Sequence, residues 1–131
     1  MSQNLKQILK SAFAEIFENP NAGRIEIKKY FAENYIQSVD DKVIDFEGFV
    51  RHVALQKKVI ACSKVKFLNM LQEGNKVSTV HYVEAIKHDG NKVEAKVMAL
   101  FQFEDDKIIQ CDELTLITVG SKEDRDLGSR H

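Results

Sequence analysis

The sequence predicts an α+β fold, three N-terminal helices packed against a four-strand antiparallel meander, and three observations predict it. The spacing of apolar residues is helical up to about residue 61 and has period two thereafter. Turn signals containing glycine or paired aspartates separate the period-two runs. All helical segments precede the strands, whereas a parallel sheet would need helices and strands to alternate. The 131 residues are the size of one domain, expected over 1–119 with a polar tail over 120–131.

From Asn4 to Phe17 the apolar residues Leu5, Ile8, Leu9, Ala12, Phe13, Ile16 and Phe17 trace one face of a helix. Ser2 or Asn4 is the expected cap, and Asn19-Pro20-Asn21 the stop, since proline cannot continue a helix. A second helix is expected from Arg24 to about Glu33, burying Ile27, Tyr30 and Phe31. A third is expected from Asp45 to Ala61, with Asp45 as its cap, Gly48 weakening its first turn, and Phe46, Phe49, Val50, Val53 and Ala54 on its buried stripe. Four alternating runs follow. Val65, Phe67, Asn69 and Leu71 share one face, then Val77, Thr79, His81, Val83 and Ala85. Val93 to Phe103 and Ile109, Cys111, Glu113, Thr115, Ile117 and Val119 complete the set. Glu73-Gly74-Asn75, His88-Asp89-Gly90-Asn91 and Glu104-Asp105-Asp106-Lys107 are the turns between them. Strands this long twist and curl, so a strongly curved antiparallel sheet wrapped around the helices is the economical arrangement.

Composition excludes several classes of function. Nineteen Lys and Arg against twenty Asp and Glu leave a net charge of −1, which argues against nucleic acid as a partner. No apolar run approaches the roughly 20 residues of a membrane span, and no secretory signal is evident. A cytoplasmic location is the default, with Cys62 and Cys111 free and packed as small hydrophobes. No metal-ligand spacing, phosphate loop, nucleophile elbow or dinucleotide fingerprint is present, so neither a metal nor an organic cofactor is called for.

Two titratable residues stand out by their phase. Glu113 shares a strand face with Cys111 and Ile117, and a carboxylate there is unfavourable unless paired, hydrogen-bonded or protonated. His81 lies on the inner face of its own strand between Thr79 and Val83. An acid and an imidazole in one apolar chamber are a means of separating pKa values into acid and base roles. The competing reading gives both structural roles, Glu113 bound to a tyrosine or histidine and His81 satisfied in the core. His52 lies off the main helical stripe and is equally compatible with solvent. The phenylalanines, among them Phe49 and Phe101, suit either a packed core or a ligand chamber. On the opposite strand faces Val80, Tyr82, Ile86, Met98 and Leu100 point outward, a pattern that suits a homodimer.

The whole chain resembles the SnoaL-like branch of the nuclear-transport-factor-2-like superfamily. The resemblance rests on helix, helix, Tyr35-Ile36-Gln37-Ser38-Val39-Asp40-Asp41, a third helix opening Asp45-Phe46-Glu47-Gly48-Phe49, and then the meander. It implies a cone, an α+β barrel with an internal pocket. Lys107-Ile108-Ile109-Gln110-Cys111-Asp112-Glu113 is similar to that branch's Gly-Lys-Ile-x-x-x-Trp-Asp element, which implies an acid/base role for Glu113. Asp112 replaces the tryptophan, and Ser38 stands where the branch often carries histidine after Tyr-x-Gln. The tail from Glu123 to Arg130 resembles uncharacterised bacterial members. The implied site is Glu113 and His81 as catalytic groups, with Tyr35, Gln37, Phe49, Val83 and Phe101 binding a small apolar or partly polar organic ligand. The implied reaction is a cofactor-independent isomerisation, cyclisation or dehydration next to a carbonyl. The alternative is a non-catalytic dimeric binding or interaction module.

Overall fold

The computed structural model describes residues 4–120, in the order α1 (Leu5–Ile16), α2 (Arg24–Tyr30), β1 (Phe31–Val39), β2 (Lys42–Asp45), α3 (Phe46–Val59), β3 (Ile60–Glu73), β4 (Lys76–Lys87), β5 (Lys92–Glu104) and β6 (Lys107–Val119). Asn4 caps α1, its Oδ1 accepting the Gln7 N–H at 3.1 Å, and the helix buries Leu5, Leu9, Ala12, Phe13 and Ile16. Asp45 caps α3, accepting the Gly48 N–H at 2.9 Å. A Cβ on Gly48 would lie 2.9 Å from Ile44 Cβ. The glycine therefore lets α3 begin directly against the end of β2, a benefit that outweighs its low helix propensity.

The strands form one open sheet in the order β2-β1-β6-β5-β4-β3. Four expectations are corrected here. The helices are not all N-terminal, because the β1–β2 hairpin precedes α3. Asp40 and Asp41 at φ 51° and 70° make its two-residue turn, the left-handed pair that a tight hairpin requires. Phe31, expected on the second helix, is extended at φ −116°, ψ 135° and begins β1. The sheet is not purely antiparallel, since β1 runs parallel to β6. Nor is it a closed or strongly curled barrel: β2 and β3 remain unpaired edges, and closure would require them to meet.

The helix-covered face follows period two faithfully in β4 and β5, where Val77, Thr79, His81 and Ala85 and all six odd-numbered residues from Val93 to Phe103 are buried. In β3 and β6 the phase slips. Phe67 opposes His81 but Asn69 opposes Val80, so Leu68 is an extra residue that turns Met70 inward and leaves Asn69 and Leu71 exposed. Gln102 opposes Gln110 while Phe103 opposes Ile108, so the inward residue is Ile108 and the bulged one is Ile109. A third slip at Thr118 turns Val119 outward. The inner phase of Cys111, Glu113, Thr115 and Ile117 survives between the last two slips.

Candidate active site

β1 and β6 lie side by side, with Gln37 opposite Cys111 and Val39 opposite Glu113 on the helix-covered face. Thr115 Oγ1 donates to Glu113 Oε2 at 3.0 Å, and the Thr115 N–H donates to Asp40 Oδ1 at 2.9 Å. The turn aspartate thus fixes the strand residue that holds the carboxyl. Oε1 has no hydrogen-bond partner among the described residues. Glu113 is half-buried and lines a cavity; protein encloses the carboxyl on its other sides. Burial pushes its pKa up to about 7, against the stabilising Thr115 hydrogen bond and with a smaller push from the like charge of Asp40. Replacing Thr115 by valine keeps the shape and removes the hydroxyl. The Glu113 midpoint should then rise further, by roughly one pH unit for a lost hydrogen bond to a charged group; a pH titration followed by carboxyl carbon NMR measures it.

Tyr35 is buried, and its hydroxyl donates to Gln37 Oε1 at 2.9 Å. This bond orients the amide, whose Nε2 has no protein partner among the described residues and is free to donate. Burial, followed by the nearby Cys111 and Glu113, drives the Tyr35 hydroxyl well above its ordinary range. It is a neutral donor at any physiological pH. Burial likewise drives the Cys111 thiol well up, which makes it inert as a nucleophile. Cys62 is exposed rather than packed, correcting the expectation for that thiol. Gln37 and Glu113 are diagonal neighbours on adjacent strands, roughly 8 Å apart at Cα from strand spacing and rise.

His81, only 2% exposed, bonds through Nδ1 to Thr79 Oγ1 at 2.9 Å. Phe13 and Phe67 flank its ring with centroids at 5.1 and 5.3 Å. Burial lowers its pKa to about 4, so it is a neutral imidazole at pH 7. Strand order keeps it from neighbouring Glu113: His81 opposes Val97 of β5, which opposes Thr115 of β6. The two titratable groups view the cavity from strands roughly 10 Å apart, and burial moves their pKa values in opposite directions.

The cavity has a volume of about 160 Å³, and its lining includes all seven residues singled out from the sequence: Tyr35, Gln37, Phe49, His81, Val83, Phe101 and Glu113. It also includes His52, which is 3% exposed and stacks on Phe49. A signal for it was present, since His52 lies three residues after Phe49 and next to Val53, on the helical face that is buried. The lining also takes in the end of α1, the end of α3 and the start of β3. There Lys57 Nζ donates to Ile16 O and Asn19 O at 2.7 Å each. Lys57 thereby satisfies the last carbonyl of α1 and one in the loop that follows it. No cluster of metal-ligating side chains occurs among the described residues.

No family model matches this sequence. An uncharacterised protein of Schizosaccharomyces pombe is 28% identical over 129 residues, covering 98% of each chain. AclR, a candidate hydroxylase of Streptomyces galilaeus, superposes with a TM-score of 0.75 at 14% identity, over 98% of both chains. A SnoaL-like candidate polyketide cyclase from Jannaschia superposes at 0.67 and 12% identity, over 88% of this chain and 90% of its own. The fold is SnoaL-like. At these identities the SnoaL-like likeness speaks for architecture, and the chemistry has to come from the cavity. The full-length relative is from a yeast, and it lends no support to the bacterial resemblance of the tail, which lies outside the described residues from 121 onward. No helix of the described residues is long and apolar enough to cross a membrane.

Proposed function

We propose that this SnoaL-like protein binds a small organic molecule in its cavity and moves a proton next to the ligand's carbonyl. The observation that carries the reading is the placement of Glu113 at a cavity wall, one carboxyl oxygen held by Thr115 and the other without a hydrogen-bond partner among the described residues, where burial pushes its pKa up to about 7. A base poised near working pH is most effective for such a transfer. Glu113 takes the proton from the carbon beside the carbonyl, and the electron pair moves into an enolate oxygen. Gln37 Nε2, oriented by Tyr35, donates to that oxygen. Neutral His81 offers Nε2 as a further hydrogen-bonding atom rather than a charged acid. Phe49, Val83 and Phe101 supply apolar walls, and the scheme uses no cofactor. Return of the proton to another carbon is an isomerisation; attack of the enolate on a second carbonyl is a cyclisation. Incubating the protein with cyclohexanone in deuterium oxide tests the proposal. Deuterium should enter beside the carbonyl faster than in buffer, and an unchanged rate speaks against it.

A second reading, a dimeric module acting through its outer sheet face, is favoured by one observation. Val80, Met98 and Leu114 stand abreast on β4, β5 and β6, with Met98 58% and Leu114 66% exposed and Leu116 at 64% close by. An apolar row of this kind fits the same row on a second copy about a two-fold axis. Sedimentation should show a dimer at micromolar concentration that the double substitution Met98→Lys and Leu114→Lys converts to monomer. A wild-type monomer rules this association out and leaves the cavity chemistry untouched.

A further inference from the structure

The charge of the cavity wall restricts what can enter. Among the described residues no arginine lines the cavity, and the single lysine that does, Lys57, has its ammonium on two backbone carbonyls. Of the carboxylates, Glu18 is engaged at Oε2 by the Val65 N–H at 2.7 Å, and Glu113 faces the interior. Other polar groups on the sheet wall are neutral, among them the Gln37 amide, the hydroxyls of Tyr35, Thr115 and Ser63, the last donating to Phe17 O, and the His81 imidazole, which burial keeps uncharged at pH 7. On the helix side His52 lies against Phe49. Among the described residues an anionic ligand would meet no lysine or arginine side chain free to receive it, and would approach the Glu113 carboxyl at the same time. The volume is about 160 Å³, close to the roughly 150 Å³ of an engineered apolar cavity that takes up benzene.

We infer that the enclosed part of the ligand is an uncharged carbonyl compound about the size of one six-membered ring, and that carboxylates and phosphate esters of the same size are excluded. The inference rests on the proposed function for the word carbonyl and on the cavity alone for charge and size. It separates the enclosed group from small acidic metabolites whose charge would have to enter with the ring.

Binding, measured without turnover, tests it. Titration calorimetry of the full chain at pH 8 with benzaldehyde and benzoate, and with acetophenone and phenyl phosphate, compares pairs matched in size. The aldehyde and ketone should bind at least about tenfold more tightly than their anionic partners, the minimum expected for a buried like charge within a few ångströms. In Glu113→Gln, benzoate should bind more tightly than it does to wild type, because the like charge is gone. Benzoate binding wild type as well as benzaldehyde, or failure of every neutral single-ring compound to bind, overturns the inference. The two claims fail separately. Acetophenone that binds but never exchanges deuterium into its methyl group sinks the proton-transfer reading and leaves this one standing; exchange accompanied by equal binding of benzoate does the reverse.

Discussion

Glu113→Gln should make the protein more stable at pH 8, by up to about 3 kcal/mol, and the gain should vanish below about pH 4.5. The carboxyl has a folded pKa near 7 against an ordinary value of 4.5, and each tenfold change in acidity is worth about 1.4 kcal/mol. The sign follows from proton binding. Between pH 4.5 and 7 the folded state keeps a proton that the unfolded state has lost, so stability falls as pH rises through this window and stays lower above it. The full 3 kcal/mol is an upper bound, because the side chain is only half-buried and solvent screens part of the effect. His81 acts in the opposite sense. Its folded pKa of about 4 lies below the ordinary 6.5, so its contribution is intact above pH 6.5 and is lost as pH falls towards 4. In wild type the two effects offset each other between about pH 4.5 and 6.5. Removing Glu113 should expose the His81 slope, so that the variant loses stability on acidification more steeply than wild type. Urea denaturation across pH 4 to 8 measures both. A variant whose stability runs parallel to wild type at all pH values contradicts the burial of this carboxyl.

The same substitution should lower the rate of deuterium exchange into a bound ketone by about 10²–10⁴-fold, the contribution of one positioned base. Affinity for the neutral ligand should change little, since glutamine keeps the size and polarity of the side chain. In wild type the exchange rate should rise with pH through about 7 and then level, as the carboxyl ionises. His81 titrates near 4, outside that range, and contributes no second limb. Gln37→Leu should reduce the rate with a smaller effect on binding, because the amide serves the developing oxyanion. A rate unchanged in Glu113→Gln assigns the exchange to some other group.

What could be read in the sequence depended on whether local periodicity was sufficient. β4 and β5 are regular along their inner faces, and Val77 to Ala85 and Val93 to Phe103 fall where the alternation puts them. Extra residues at Leu68, Ile109 and Thr118 are invisible to a period-two count, because a bulge preserves composition while reversing every later side chain. Glu113 kept its inward phase because it lies between two of these slips. The β1–β2 hairpin was missed although Asp40-Asp41 repeats the paired-aspartate turn recognised at Asp105-Asp106, where φ is 50° and 65°. The parallel pairing of β1 with β6 joins segments about seventy residues apart in sequence, and no local pattern encodes it. That pairing places Gln37 beside Glu113's strand, so the relation between donor and base could only come from the structure. His81 and Glu113 were identified individually, and β5 lies between their strands.

One titration bears on the buried base more directly than any other measurement. With the glutamate side chains carrying ¹³C at the carboxyl carbon, the Glu113 resonance, assigned by its loss in Glu113→Gln, can be followed from pH 3 to 10. A midpoint near 7 is the expected result, with the remaining glutamates titrating in the usual acid range. A Glu113 midpoint near 4.5 would mean a carboxylate in free contact with bulk water, and would contradict the buried base on which the proposed chemistry depends.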